Sequence, residues 1–269
     1  MRNIPKYITK ADGSKERFDR SKILRACEHI GLDMKQSNEV ADYVDRALPE
    51  GSSTHKLHVL LMEQLDKRNI ESAPLLALRD AIADIDSKNF EIFTKRMLEA
   101  DGYKCKWNQI MRGASVDHQI DVLAEKDDQI FIVECKRHFN PHRFCGLDVS
   151  LQEKARLDDI TDGYTNGKNK VHVTAAWIFT NAKFSEHAKA YCKAKGIRMT
   201  GWKTGEFGIE IFVKKNNIYP VTILKADLNT KVQLIQAGLL TLQDVINKKR
   251  SNISNFPDIV QQAKRLLKK

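Results

Sequence analysis

Glu134 and Lys136 stand two residues apart at the polar end of an apolar run, Ile130-Phe-Ile-Val-Glu-Cys-Lys-Arg137. Side chains alternate along an extended strand, so Glu134 and Lys136 share one face and Cys135 takes the other. Thirteen residues before Glu134, Asp121 sits among apolar neighbours in Gln119-Ile-Asp-Val-Leu-Ala124. The polar stretch Glu125 to Asp128 reads as a hairpin turn that sets the two runs side by side. A carboxylate in an apolar strand is costly unless it is paired or holds a cation. Two carboxylates on neighbouring strands supply the hard oxygen ligands that Mg²⁺ takes, leaving positions for water and a phosphate oxygen. A lysine beside them can orient or help deprotonate the attacking water and offset charge building on the phosphate. Asp121, Glu134 and Lys136 therefore suffice for phosphodiester hydrolysis. A plainer arrangement fits the same residues: a strand-end ion pair of Glu134 with Lys136, and Asp121 answered by an arginine. Glu-x-Lys triplets are common by chance.

The elements around these residues are legible from periodicity. A helix carrying Phe90, Phe93 and Met97 ends near Asp101-Gly102, and strands follow at Tyr103 to Gln109, Gln119 to Ala124 and Gln129 to Lys136. A helix around Leu151 to Ile160, a strand from Val173 to Thr180 and a helix from Ser185 to Lys195, closed by Gly196, complete an α/β sandwich over residues 87–222. Residues 1–86 read as a hairpin with an Asp12-Gly13 turn and four short amphipathic helices. Asp19 and Thr54 are the expected helix caps, and Leu75, Leu78, Ile82 and Ile85 form the fourth apolar stripe. Residues 223–269 return to short helices meeting near Gly238. The expected whole is a multidomain α+β chain, with no flexible linker between its first two parts.

Charge is distributed unevenly over these parts. Residues 1–86 hold 14 basic and 15 acidic side chains, residues 87–222 hold 22 and 17, and residues 223–269 hold nine and three. A polyanion such as DNA is the partner expected of the middle and last parts, while the nearly neutral first part calls for another activity. In the last part, Lys248-Lys-Arg250 and Lys264-Arg265 fit either a phosphate grip of helix-hairpin-helix type or a solvated cap. No apolar run reaches membrane-spanning length and no signal peptide opens the chain, which makes the cytoplasm the expected location. The five cysteines are scattered, which fits reduced thiols and neither disulfides nor zinc. His118, His138 and His142 have no metal-ligand spacing.

From about Asn89 to Gly201 the sequence resembles the Mrr-like restriction endonucleases of the PD-(D/E)XK superfamily. The resemblance rests on Phe90-Glu91, Gly102-Tyr103, Asp117-His-Gln-Ile-Asp-Val122, Val133-Glu-Cys-Lys-Arg137, Ile178-Phe-Thr-Asn181 and Phe184-Ser-Glu-His-Ala188. It implies a DNA endonuclease that uses Mg²⁺ or Mn²⁺, with Asp121 and Glu134 as metal ligands, Lys136 as the catalytic lysine and Glu91 as an auxiliary acid. It also implies foreign or modified DNA as substrate. The loop Gly113-Ala-Ser-Val-Asp117 is poorer in glycine than is usual before the family's aspartate, which leaves Asp117 as a competing ligand.

A second resemblance covers some 85 residues at the start of the chain, where Ile8 to Ile23 and Gly51-Ser-Ser-Thr54 are similar to the ATP-cone domain of ribonucleotide reductases and their repressor. It implies ATP or dATP as a regulatory ligand. Lys10 and Lys22 would hold phosphates, Glu16, Phe18 and Asp19 would line the base and ribose, and Thr54 would close the pocket. Two lysines and a helix N-terminus beside a hairpin make an adequate triphosphate cradle, and a solvated basic hairpin is the alternative. No Walker motif is present, so sensing is expected rather than hydrolysis. Two other functions stay open: a nucleotide-responsive DNA-binding regulator that does not cut, and a structure-specific or RNA nuclease. Self-association into a homo-oligomer also stays open.

Overall fold

The computed structural model describes residues 6–10, 13–70 and 72–267. It divides into two compact units, which part between Ala77 and Leu78. The change of period had placed that boundary nine residues later, after Asp86. The apolar stripe that bridged the expected boundary is split: Leu75 lies in a 3₁₀ turn of the first unit, and Leu78 and Ile82 lie on a helix of the second. Periodicity records burial and does not say which body provides it.

In the first unit, strands β1 (Tyr7–Thr9) and β2 (Lys15–Arg17) pair antiparallel. Gly13 has φ 81°, which suits a turn; Asp12 of the expected turn lies outside the described residues. Helices α1 (Arg20–His29), α2 (Met34–Ala47) and α3 (Thr54–Lys67) follow. Asp19 caps α1 as expected, accepting the Ser21 N–H at 2.9 Å. The cap of α3 is Ser53 rather than Thr54: its hydroxyl accepts the Lys56 N–H at 3.1 Å, and Thr54 is already helical. The hairpin explains the choice. Thr9 donates its N–H to Ser52 O at 2.9 Å and bridges Ser53, which holds the chain extended up to that residue. Ile23, Cys27, Ile30, Val40, Val44, Leu61 and Leu65 fill the core.

The second unit opens with α4 (Leu78–Ala83) and α5 (Ser87–Ala100). Its sheet has the order β3-β4-β5-β7-β9. Strands β3 (Lys104–Arg112), β4 (Asp117–Lys126) and β5 (Gln129–Lys136) form an antiparallel meander. Strands β7 (Ala175–Thr180) and β9 (Arg198–Thr200) then add in parallel. The parallel crossovers carry α6 (Leu147–Thr165) and α7 (Glu186–Lys195), and α7 ends at Gly196 with φ 67°. A small parallel pair, β6 (Phe144–Cys145) with β8 (Lys183–Phe184), lies beside them. Strand alternation serves both faces. Ile132 and Ile178 pack with Val149, Ile160, Ala188 and Cys192 of α6 and α7. The neighbouring Phe131, Trp177 and Phe179 form an aromatic cluster with Tyr103 and Phe212. Phe90, Phe93 and Met97 are buried on α5, which packs against β3, β4 and β5.

Helices α8 (Ile209–Lys215), α9 (Leu228–Gln236), α10 (Leu242–Asn247) and α11 (Phe256–Leu267) follow in the same unit. The last part of the chain is thus not a body of its own. Thr222 Oγ1 donates to Ala81 O at 2.5 Å, and Arg96 of α5 pairs with Asp244 of α10. Lys248, Lys249, Arg250, Lys264 and Arg265 are exposed. No helix among the described residues is long and apolar enough to cross a membrane.

One close approach fixes α6 against the meander. A Cβ at Gly163 would stand 2.7 Å from Gly113 C and 2.8 Å from Arg112 O, both backbone atoms. Asp159, one turn earlier, accepts the Ser115 N–H at 2.8 Å and the Val116 N–H at 3.3 Å and bonds His118 Nε2 at 2.8 Å. Backbone cannot yield as a flexible side chain can, so Gly163→Ala is expected to destabilise the protein by about 1–3 kcal/mol. Urea unfolding measures it, and an unchanged midpoint would show that α6 is free to shift.

Candidate active site

The antiparallel ladder of β4 and β5 runs as far as Val122 opposite Val133 and stops there. Asp121 and Glu134 are the next residues on each strand, so the strands part where the two carboxylates begin. Pairing of β4 with β3 lapses at the same level: Trp107 faces Val122 and Gln109 faces Ile120, while Asn108 between them has φ 52°. Asparagine tolerates that left-handed geometry better than most residues. With the ladder open, the Cys135 N–H donates to Asp121 Oδ2 at 2.8 Å. On its other side β5 stays paired to β7, with Glu134 opposite Ile178 and Lys136 opposite Thr180. The Glu-x-Lys segment is therefore held from one side and open on the other.

The opening is crowded with negative charge. Burial raises the Asp121 carboxyl to about 7; Glu134 and Glu91 push the same way, against the Cys135 N–H and Arg156. Arg156 of α6 donates one Nη1 to Glu134 Oε2 at 2.5 Å and to Glu153 Oε2 at 2.7 Å. Glu153 is 1 % exposed, and burial raises its carboxyl to about 8 in spite of Arg156. Its Oε1 is buried without a hydrogen-bond partner among the described residues. Burial works against the charge on Arg156, yet Glu153 and Glu134 outweigh it and hold the guanidinium above its ordinary pKa. Glu91 of α5 accepts Trp107 Nε1–H at 2.9 Å. Lys136 is exposed, and its amine has no partner among the described residues. The strand-end ion pair of Glu134 with Lys136 is thus absent there: the cation on Glu134 is Arg156, which leaves the lysine available.

Asp121, Glu134 and Glu91 come together electrostatically, and Lys136 ends the same strand. Asp117 does not join them. It is exposed opposite Arg112 and pairs with it at 3.4 Å. His118 is bound to Asp159, His142 Nδ1 lies 3.2 Å from Arg79, and the three histidines do not converge. Among the described residues no three His, Cys, Asp or Glu side chains are grouped to hold a metal. A Mg²⁺ site needs no such cage, because that ion keeps several waters and binds through one or two carboxylates. Asp121 and Glu134 fit it: both are hard oxygen donors, and the raised Asp121 carboxyl marks a place short of positive charge.

Glu153 and Arg156 were not picked out from sequence, although a signal existed. Val149, Glu153, Arg156 and Ile160 follow helical spacing, so the two charged residues interrupt an apolar stripe that is buried at both ends. Asn181, the last residue of Ile178-Phe-Thr-Asn181, is fully buried, and it accepts the His138 N–H at 2.7 Å and donates to His138 O at 2.8 Å, which fixes the chain just past Lys136.

The first unit assembles the other residues singled out from sequence. Glu16, Phe18, Asp19, Lys22 and Thr54, with Ile8, Ile23, Ala26, Leu57 and Leu61, line a cleft of about 190 Å³. Lys10 and Lys22 grip the two oxygens of Glu16 at 2.8 and 2.9 Å. These bonds hold the Glu16 carboxyl below its usual range. Glu16 thus stands between the two lysines, rather than only on the base and ribose side.

The carboxylate cluster makes stability depend on pH. Asp121 and Glu153 titrate in the fold at about 7 and about 8, above their ordinary 3.8 and 4.5. The folded state therefore retains protons that the unfolded chain gives up, and the stability this confers is lost as pH rises through those values. In EDTA, the melting temperature is expected to fall between about pH 5 and about pH 8, and Glu153→Gln to flatten the fall and melt higher at the alkaline end. Parallel curves for both proteins would remove Glu153 from the cause.

The chain is similar to several known proteins. An uncharacterized protein of Archaeoglobus fulgidus is 39 % identical over 153 residues, which span 56 % of this chain and 83 % of that one. A protein of unknown function with a known crystal structure superposes with a TM-score of 0.55 at 33 % identity, over 67 % of this chain and 97 % of its own. Can2 from Sulfobacillus thermosulfidooxidans, in complex with cyclic tetra-adenylate, aligns with a TM-score of 0.31 at 12 % identity over 70 % of this chain and 60 % of its own, which is too distant to carry an argument. The restriction endonuclease model Mrr_cat matches residues 82–205, the stretch that holds Asp121, Glu134, Lys136, Glu153 and Arg156. Residues 82–205 are thus similar to the Mrr_cat restriction endonuclease domain, which is of PD-(D/E)XK type.

Proposed function

We propose that the chain is a DNA endonuclease that hydrolyses phosphodiesters with Mg²⁺ or Mn²⁺, acts on foreign or modified DNA, and is controlled by an adenine nucleotide held in its first unit. The observation that carries the nuclease reading is the parting of β4 from β5 at Asp121 and Glu134, with Lys136, which has no partner among the described residues, at the end of β5. Asp121 and Glu134 would hold the metal, which when bound supplies Lewis acidity and lowers the pKa of a coordinated water. Lys136 orients the attacking water and offsets charge on the phosphate as the leaving oxygen departs. Arg156 holds the Glu134 carboxylate in place from α6. Glu91, fixed by Trp107, adds negative charge behind Asp121. The chemistry does not read the sugar, so DNA as the substrate rests on the family and on the basic balance of residues 87–269.

Incubation of the protein with plasmid in Mg²⁺ or in EDTA tests the reading directly. Cleavage is expected only with the metal. Glu134→Ala and Lys136→Ala should each lower the rate by at least about a hundredfold, with melting and DNA binding little changed. Cutting by either variant at the wild-type rate would refute the assignment.

The nucleotide reading rests on the cleft between the hairpin and α1, where two lysines, an aromatic ring and the capped N-terminus of α1 meet. A phosphate group would exchange one acidic partner of Lys10 and Lys22 for another. Control of cutting should appear as a coupling of about 1–3 kcal/mol, roughly five- to 150-fold in affinity. Lys10→Ala with Lys22→Ala should abolish ATP or dATP binding in calorimetry and any effect of nucleotide on cleavage. Equal ATP affinity in the double variant would place the ligand elsewhere, and binding without any change in DNA affinity or cleavage would exclude a switch.

A further inference from the structure

The loop that follows Lys136 presents an aromatic ring to solvent on a rigid mount. Phe139 is 84 % exposed, three residues beyond the catalytic lysine. A single exposed apolar side chain needs no explanation by itself. This one is held from several directions. Asn181, fully buried, clamps both backbone groups of His138 at 2.7 and 2.8 Å. Arg137 lies over the Phe139 ring at 5.5 Å and is itself anchored, donating to Ala83 O at 2.6 Å. Arg79 donates to Pro141 O and meets His142 Nδ1 at 3.2 Å, which ties down the far side of the loop. The His142 N–H donates to Asn140 Oδ1 at 3.0 Å, closing the turn in between.

Charge completes the setting. From Cys135 to Leu147 the chain holds Lys136, Arg137 and Arg143 with His138 and His142, and no aspartate or glutamate. An anchored aromatic ring with the Arg137 guanidinium over it, within about 10 Å of chain from Lys136, matches what single-stranded nucleic acid requires. Its phosphates need positive charge, and its unstacked bases need a π-face. A base inside an intact duplex is already stacked and offers neither of its faces.

We infer that Phe139 is a base-stacking residue, which receives an unpaired nucleobase next to the cleavage site and directs the enzyme toward single-stranded, mismatched or locally opened nucleic acid. The inference rests on the nuclease reading and specifies its substrate class. Stacking on an aromatic side chain is sequence-tolerant, because every base has a π-face. The preference should therefore be for an unpaired state rather than for a sequence.

Binding in EDTA separates this inference from cleavage. The probes are a mixed-sequence single-stranded oligodeoxynucleotide, the same strand as a duplex, and an abasic oligomer with the same number of phosphates. Phe139→Ala is expected to weaken binding of the base-bearing single strand by roughly five- to 150-fold and to leave the abasic oligomer, the salt dependence and the melting temperature unchanged. Phe139→Trp is expected to restore affinity and to add an indole fluorescence, over the wild-type signal, that the single strand quenches and the abasic oligomer does not. Equal affinity of Phe139→Ala and wild type for the single strand, or an equal loss for both oligomers, would overturn the inference. If the wild type cuts plasmid in Mg²⁺ while Phe139→Ala binds every probe as wild type does, only the stacking role falls. If the wild type binds no probe and cuts nothing, the nuclease reading falls with it.

Discussion

One guanidinium holds together a site that would otherwise repel itself. Asp121, Glu134 and Glu153 converge on a half-buried place, and Arg156 donates to the last two. Removing charges from water costs several kcal/mol per ion, and one cation cannot neutralise three anions. The excess appears as proton affinity in Asp121 and Glu153 and as a Glu153 oxygen that has no partner among the described residues. Such a cluster survives only if the elements that carry it cannot move apart. The surrounding structure supplies that restraint. Gly163 lets α6 lie directly on the backbone of residues 112–114, and Asp159 ties the same helix to the loop at Ser115 and Val116. Strand β7 holds β5 in register as far as Lys136.

The same arrangement explains why the strands separate where they do. Had the β4–β5 ladder continued past Val122 and Val133, the Cys135 N–H would serve that ladder and not the Asp121 carboxylate. The bond from that N–H lowers the Asp121 pKa against burial and Glu134, so local opening of the sheet partly offsets the cost that the site imposes. Asn108 plays a matching part on β3, taking a backbone geometry that most side chains avoid at the level where β3 pairing with β4 lapses. Irregular backbone of this kind tends to gather at functional sites, where surrounding structure over-determines it.

Much of this was readable from residues alone, and the unread part has physical causes. Alternation along Gln119 to Ala124, the unbroken apolar run Ile130 to Val133 and the turn at Glu125 to Asp128 gave the meander, because a half-buried strand leaves a period-two trace and a strand buried on both faces a continuous apolar one. The helix with Phe90 and Phe93 and the stop at Gly196 were equally plain. Arg156 was not, since nothing local records which carboxylate an arginine reaches 22 residues away. The Ser53 cap was missed by one residue because two hydroxyl residues stood together and the deciding contact came from β1. The boundary at Ala77 was missed because apolar stripes look alike on either side of it.

Lys136 and Arg156 divide between them the work of two cations, and their side chains suit the division. Arginine presents a planar fork that can bond two carboxylates at once and keeps its charge when buried. It sits in the interior, where Glu134 and Glu153 need it. Lysine is a compact charge on a flexible stem, and it stands at the exposed end of β5, where an incoming phosphate would meet it. Exchanging their places would leave two carboxylates sharing a cation with a poorer fit, and would tie the solvent-facing cation to protein rather than substrate. Because Arg156 satisfies Glu134, Lys136 is not drawn into the strand-end ion pair that sequence alone allows. The availability of Lys136 is therefore set by an arginine on another element, and through it by the packing of α6 against the sheet.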